Sequence, residues 1–156
     1  MEIAGLPFHA LILHAAVVLT PLAVALAVVF ALVPRWRYLT RWPTAVLTVV
    51  ALVSVWLSRI SGKAFLESRP ELAPAVRVHE ERGELLSLLM ILFTVVVAIA
   101  VWGLSGRSGF TSGAGAREAR VPVLDKILPV ALVVSALLVL VWTFLTGDAG
   151  ARAVWG

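Results

Sequence analysis

The sequence predicts an all-α integral membrane protein, a four-helix bundle with both termini on one side, and three observations lead there. The chain of 156 residues is 61% hydrophobic and 14% charged, with a mean hydropathy of +1.01. Soluble domains sit near half apolar and a quarter charged. Four apolar runs, 10–33, 42–57, 85–104 and 127–145, come close to the roughly 20 residues a helix needs to cross about 30 Å of hydrocarbon. The runs are continuous and too long for the alternating strands of a membrane barrel, which take about ten residues each.

The first helix is expected over 6–33. It follows Met1 and Glu2 with no basic leader region and is too long for the apolar stretch of a cleaved signal. Pro21 sits in its middle and removes one backbone hydrogen bond, which predicts a kink. The second helix is expected over 42–60, its short run completed by Ser58, Arg59 and Ile60 with the arginine snorkelling to the headgroups. Pro70 and Pro74 break the following loop. The third helix then begins near Ala75, about two turns outside the hydrocarbon, and continues to 104. The fourth is expected over 122–146, with Pro129 tolerated in its first turn. Between the last two, 105–119 is rich in Gly and Ser and reads as a flexible tether. Trp36, Trp42, Trp56 and Trp102 stand at run ends, as an interfacial aromatic belt requires. The whole forms a single transmembrane domain.

This composition excludes a soluble globular enzyme and a disordered chain. The absence of cysteine excludes disulfides, thiolate metal sites and cysteine nucleophiles. The net charge of +4 does not point to nucleic acid, because the thirteen basic residues are scattered between apolar runs and form no stripe. There is no phosphate loop, dinucleotide fingerprint or nucleophile elbow, so an enzyme acting alone is not expected.

The flanking charges bear on orientation. Arg35, Arg37, Arg41, Arg107, Arg117, Arg120 and Lys126 lie on one side; Arg59, Lys63, Arg69, Arg77, Arg82 and Arg152 lie on the other. The second set is interleaved with acids, whereas the first loop is purely basic and hugs the membrane. The positive-inside rule then places both termini outside the cytoplasm of a bacterial cell membrane.

His9, His14 and His79 lie near the starts of the first and third helices. Those helices run in the same direction, so all three histidines fall towards one membrane face. His9 and His14, five residues apart, are separated by about 140° around a regular helix and do not converge on one small centre. His14 lies deeper in an apolar stretch and is expected to face the bundle, either as a functional group or as a neutral histidine bonded to a neighbouring helix. His79, Gly83, Leu86 and Met90 form one stripe. Gly83 either clears space beside the imidazole for a flat ligand or allows close helix packing. An imidazole from each of two facing helices is how a membrane bundle holds haem iron. His9 or His14 with His79 supplies such a pair, His9 matching His79 better in level. Gly62 and Gly83 would give clearance, and Arg59 or Arg82 would pair with propionates. Without a covalent attachment motif the haem would be b-type. The three histidines could equally hold zinc or copper with help from Glu80 or Glu84. Glu80, Glu81 and Glu84 beside Arg77 and Arg82 otherwise read as a solvated, self-paired helix face.

The opening Gly5-Leu6-Pro7-Phe8-His9-Ala10-Leu11-Ile12-Leu13-His14 resembles the start of the bacterial domain of unknown function 2231 family, small four-helix membrane proteins. Ser61-Gly62, His79 and the Gly-rich tail from Gly147 to Gly156, closed by Trp155, are similar to later features of its actinobacterial members. Ala15-Ala16-Val17 stands where many relatives have Phe-Pro-Ile. The resemblance implies membrane electron transfer through the family's association with cytochrome and Rieske-type domains.

Two readings follow: a b-type haem-binding or quinone-linked electron-transfer membrane subunit with a redox or respiratory partner, or a cofactor-free accessory subunit of a larger membrane complex. A metal or proton transporter ranks below both, since no charge lies at mid-membrane. The small-residue stripe Ala23, Ala27 and Ala31 would also suit a homo-oligomer.

Overall fold

The computed structural model describes residues 2–3, 6–106 and 121–155, with side chains from Ile12 onward except Val154. The order is a two-residue antiparallel pair, Glu2–Ile3 with Leu6–Pro7, then α1 (Phe8–Leu32), α2 (Arg37–Ser68), α3 (Ala73–Gly103) and α4 (Leu124–Trp155). Each of the four helices is long and apolar enough to cross a membrane. Chain neighbours pack antiparallel, and α1 also packs on α4, which closes a four-helix bundle. This is the predicted class, a multi-pass membrane protein.

Prolines set the two tight turns. Val33 and Arg69 precede Pro34 and Pro70 and are pushed out of the helical region, with φ/ψ of −117°/81° and −141°/63°. Each proline then opens a one-turn 3₁₀ segment, Pro34–Trp36 or Pro70–Leu72, that feeds directly into the next helix.

Two helices outrun their predicted lengths. α2 starts at Arg37 rather than 42, passes through Pro43, and continues to Ser68. α4 runs on through Gly147 and Gly150 to Trp155, past its expected end at 146. Packing against α3 overrides their low propensity. At about 1.5 Å per residue, α2, α3 and α4 each exceed 45 Å, so their terminal-side ends project beyond the hydrocarbon. The expected tether at 105–119 lies almost entirely outside the described residues.

The core is built from Phe30, Met90, Phe93, Val97, Leu132 and Val139, with alanines between them. Lipid is as apolar as these side chains, so close packing rather than transfer from water holds them together. Ala23, Ala27 and Ala31 are at most 2% exposed and lie inside the bundle. The stripe expected at a homo-oligomer interface therefore serves packing within the chain. Gly103 does the same at the α3–α4 corner, where a Cβ would come within 3.2 Å of Leu124 Cδ1.

At the end opposite the termini, two arginines of α2 staple the other helices. Arg37 donates from Nε to the Phe30 carbonyl at 3.0 Å, from Nη2 to Ala31 at 2.9 Å and from Nη1 to Ser105 at 2.9 Å. Arg41 donates to the carbonyls of Val101 and Leu104 and lies over the Phe30 ring. Carbonyls in the last turns of α1 and α3 lack helical partners, and these guanidiniums satisfy several of them. Asp125 completes the cluster, 3.6 Å from Arg37 and accepting the Ser105 N–H at 2.9 Å.

Candidate functional site: a cavity at the terminal-side end

The projecting ends of α2, α3 and α4, together with the outer half of α1, enclose a cavity of about 500 Å³. That size falls within the range of cofactor and small-molecule sites. On α1 the wall is Leu13, Ala16, Val17 and Thr20, one helical stripe. Most of the wall is aliphatic. The polar groups are Ser58, Arg59 and Lys63 from α2, His79, Glu80 and Glu84 from α3, and the hydroxyls of Thr20, Thr143 and Thr146.

His79 is the best-defined polar group there. Its Nδ1 lies 2.9 Å from the carbonyl oxygen of Thr146 on α4. A carbonyl only accepts, so Nδ1 carries the proton and donates, which leaves Nε2 with its lone pair. Among the described residues nothing bonds to Nε2. A backbone carbonyl on one ring nitrogen is the usual support for a histidine whose other nitrogen ligates a metal. The ring also packs on Gly150, where a Cβ would come within 3.0 Å of Nδ1 and 3.1 Å of Cε1. Gly150 is glycine because the imidazole occupies that space.

The other cavity glycines behave differently. A Cβ on Gly147 would meet nothing within 4 Å, and one on Gly83 would make an ordinary 3.9 Å contact with the Thr146 methyl. Packing inside the chain requires neither glycine, and each costs about 1 kcal/mol relative to alanine in a helix. Both line the cavity. Of the two readings of Gly83, close helix packing does not require glycine at this position. The Thr20 hydroxyl on the cavity wall is fully buried, with no hydrogen-bond partner among the described residues.

The remaining predicted residues divide. Arg59 lines the cavity, stacks on Trp56 with its guanidinium 5.2 Å from the ring centre, and pairs with Glu84 across the α2–α3 gap. Gly62 lines the cavity as well. Arg82 does not: it donates to the Leu145 carbonyl at 2.7 Å, one residue before the carbonyl that His79 holds. His14 is exposed on the outer face of α1 and absent from the cavity wall, against the expectation that it faces the bundle. The cavity stripe of α1 contains Leu13 and Val17, and a residue one step from Leu13 is turned by about 100°. The side chain of His9 lies outside the described residues. Its sequence position is four before Leu13, in register with the cavity stripe. Among the described residues no three His, Asp or Glu side chains gather as a metal site; the side chain of His9, one member of the zinc or copper set, lies outside them.

Sequence reasoning missed Thr20, Thr146, Gly147 and Gly150. Gly147 and Gly150 were visible as tail glycines, but only a helical tail sets Gly150 against His79 and Gly147 on the cavity wall.

Fold and site together define a four-helix multi-pass membrane protein with an apolar, polar-rimmed cavity at one end. No protein-family model matches the chain, and neither the curated proteins nor the solved structures include a match to it.

Proposed function

We propose that this protein is a redox-associated membrane subunit that binds b-type haem in the end cavity, with His79 Nε2 as an iron ligand. The observation that carries the reading is the His79–Thr146 bond, which presents a free, oriented nitrogen lone pair to a cavity of cofactor size. The cavity suits such a group in three further respects. Its walls are largely aliphatic, Gly83 and Gly147 leave room for a flat ring, and Arg59 and Lys63 offer positive charge for propionates. His9 is the second ligand by register, and His14 is not a ligand. A bound haem supplies a reversible one-electron carrier. The protein's part is to orient His79, exclude water with the aliphatic wall and neutralise the propionates.

The resemblance of the opening phrase and of His79 to the domain of unknown function 2231 family supports the same reading by association. In this proposal the protein lies in a bacterial cell membrane, of actinobacterial type, with cavity and termini outside the cytoplasm and a respiratory partner at hand.

The test is the absorption spectrum of the detergent-purified protein, made with ample haem, before and after dithionite. A Soret band with sharp reduced α and β bands is expected, lost in His79→Ala and His9→Ala and kept in His14→Ala. A featureless spectrum from the folded protein overturns the haem reading and leaves the cofactor-free accessory subunit in its place.

A further inference from the structure

Ser and Thr hydroxyls inside helices usually bond to the carbonyl four residues back. Here Thr40, Ser54, Ser87, Thr94, Thr143 and Thr146 all do so, at 2.7–2.9 Å. Thr20, Thr44 and Thr48 do not. All three are fully buried, and their hydroxyls have no partner among the described residues. Among the described residues they and the Trp142 indole N–H are the buried side-chain donors left unpaired.

The three hydroxyls lie on neighbouring helices at related levels. α1 and α2 pack antiparallel around the turn at Pro34–Trp36. Thr20 lies twelve residues before the end of α1, and Thr48 lies eleven after the start of α2. At about 1.5 Å per residue the two are level, some 17–18 Å from the turn. Thr44 and Thr40 follow at steps of four on the same buried face of α2, about 6 Å apart, with Arg41 between their levels and Arg37 beyond them. Thr20 also lines the end cavity. The unpaired hydroxyls thus form a file from the inner end of the cavity towards the arginine cluster at the opposite end.

We infer that this seam is a water-binding site: a short file of water continues the cavity inward from Thr20 past Thr48 and Thr44, and the Arg37–Arg41 pair closes it. Water is the occupant the geometry favours, because a hydroxyl both donates and accepts and buried water characteristically bridges such groups. Two guanidiniums at the far end repel a hydronium ion, so the file is blind and does not leak protons across the membrane. The inference is independent of which ligand the cavity takes.

The natural chain has no cysteine, so single Thr44→Cys and Thr48→Cys variants can be probed in the full-length protein with methyl methanethiosulfonate. This small neutral reagent reaches sites through lipid or water but reacts only with thiolate, which forms where water is present. Modification read by mass spectrometry is expected to run at least about ten-fold faster than at Ala100→Cys and Ala136→Cys, dry controls on α3 and α4 that are fully buried in the parent. Equal rates at all four sites overturn the inference. Water-edited solid-state NMR on the unsubstituted protein gives a second test that no variant can spoil. Magnetisation from water should reach the Thr44 and Thr48 methyls well before those of Ala100 and Ala136, and simultaneous arrival overturns the inference equally.

Discussion

His79 on α3 and Thr146 on α4 are joined by a 2.9 Å hydrogen bond from imidazole Nδ1 to a main-chain carbonyl, and three residues further on Arg82 holds the adjacent Leu145 carbonyl at 2.7 Å. The first contact orients a cavity group. The second fastens the same helix seam from outside the cavity.

Gly150→Ala puts a methyl where the imidazole now sits, 3.0 Å from Nδ1. Overpacking of this kind costs about 1–3 kcal/mol, and on the haem proposal loss of the orienting carbonyl lowers haem affinity by about 10–100-fold. Haem titration of the apoprotein and thermal unfolding in detergent measure the two effects.

Gly147→Ala separates stability from binding. Its Cβ meets no atom of the chain within 4 Å, so the helix gains up to about 1 kcal/mol and the melting temperature rises. Because Gly147 lines the cavity, ligand occupancy falls at the same time. A variant that is more stable and binds equally well shows that the ligand does not lie against this backbone.

Arg37→Ala removes the donor for three carbonyls and the ion partner of Asp125. The expected loss is about 3 kcal/mol, since hydrogen bonds from a charged donor count for more than neutral ones. Arg37→Lys should recover only part of it, because an ammonium has no planar fork to span carbonyls on two helices. Unfolding in a titration with sodium dodecyl sulfate reads both variants against the parent.

Glu81→Ala serves as the contrast. Its pairing with Arg77 at 3.5 Å is largely exposed on both sides, so its removal costs no more than about 0.5 kcal/mol. The same unfolding titration should leave the midpoint essentially where it was.

The four spans, their number and the shared side of the termini were legible in the sequence, because a bilayer demands long charge-free runs that satisfy their own backbone. The gathering of His79, Arg59 and Gly83 at one end followed from helix direction alone. Other features depended on contacts that no local pattern encodes. Arg37 and Arg41 read as membrane-flank charge, yet they are buried caps for α1 and α3, because the carbonyls they satisfy lie 6–7 and about 60 residues away in the chain. His14 read as a bundle-facing ionisable group, but the cavity stripe of α1 runs through Leu13 and Val17 and leaves it outside. The fourth helix was expected to end near 146, yet α4 continues through Gly147 and Gly150, and Gly150 packs under the His79 ring. Sequence by itself determined which segments cross the membrane, through hydropathy summed along each segment. Tertiary structure decided which face of each helix turns inward and which polar atoms meet, because those depend on helix rotation and close approach between residues distant in the chain.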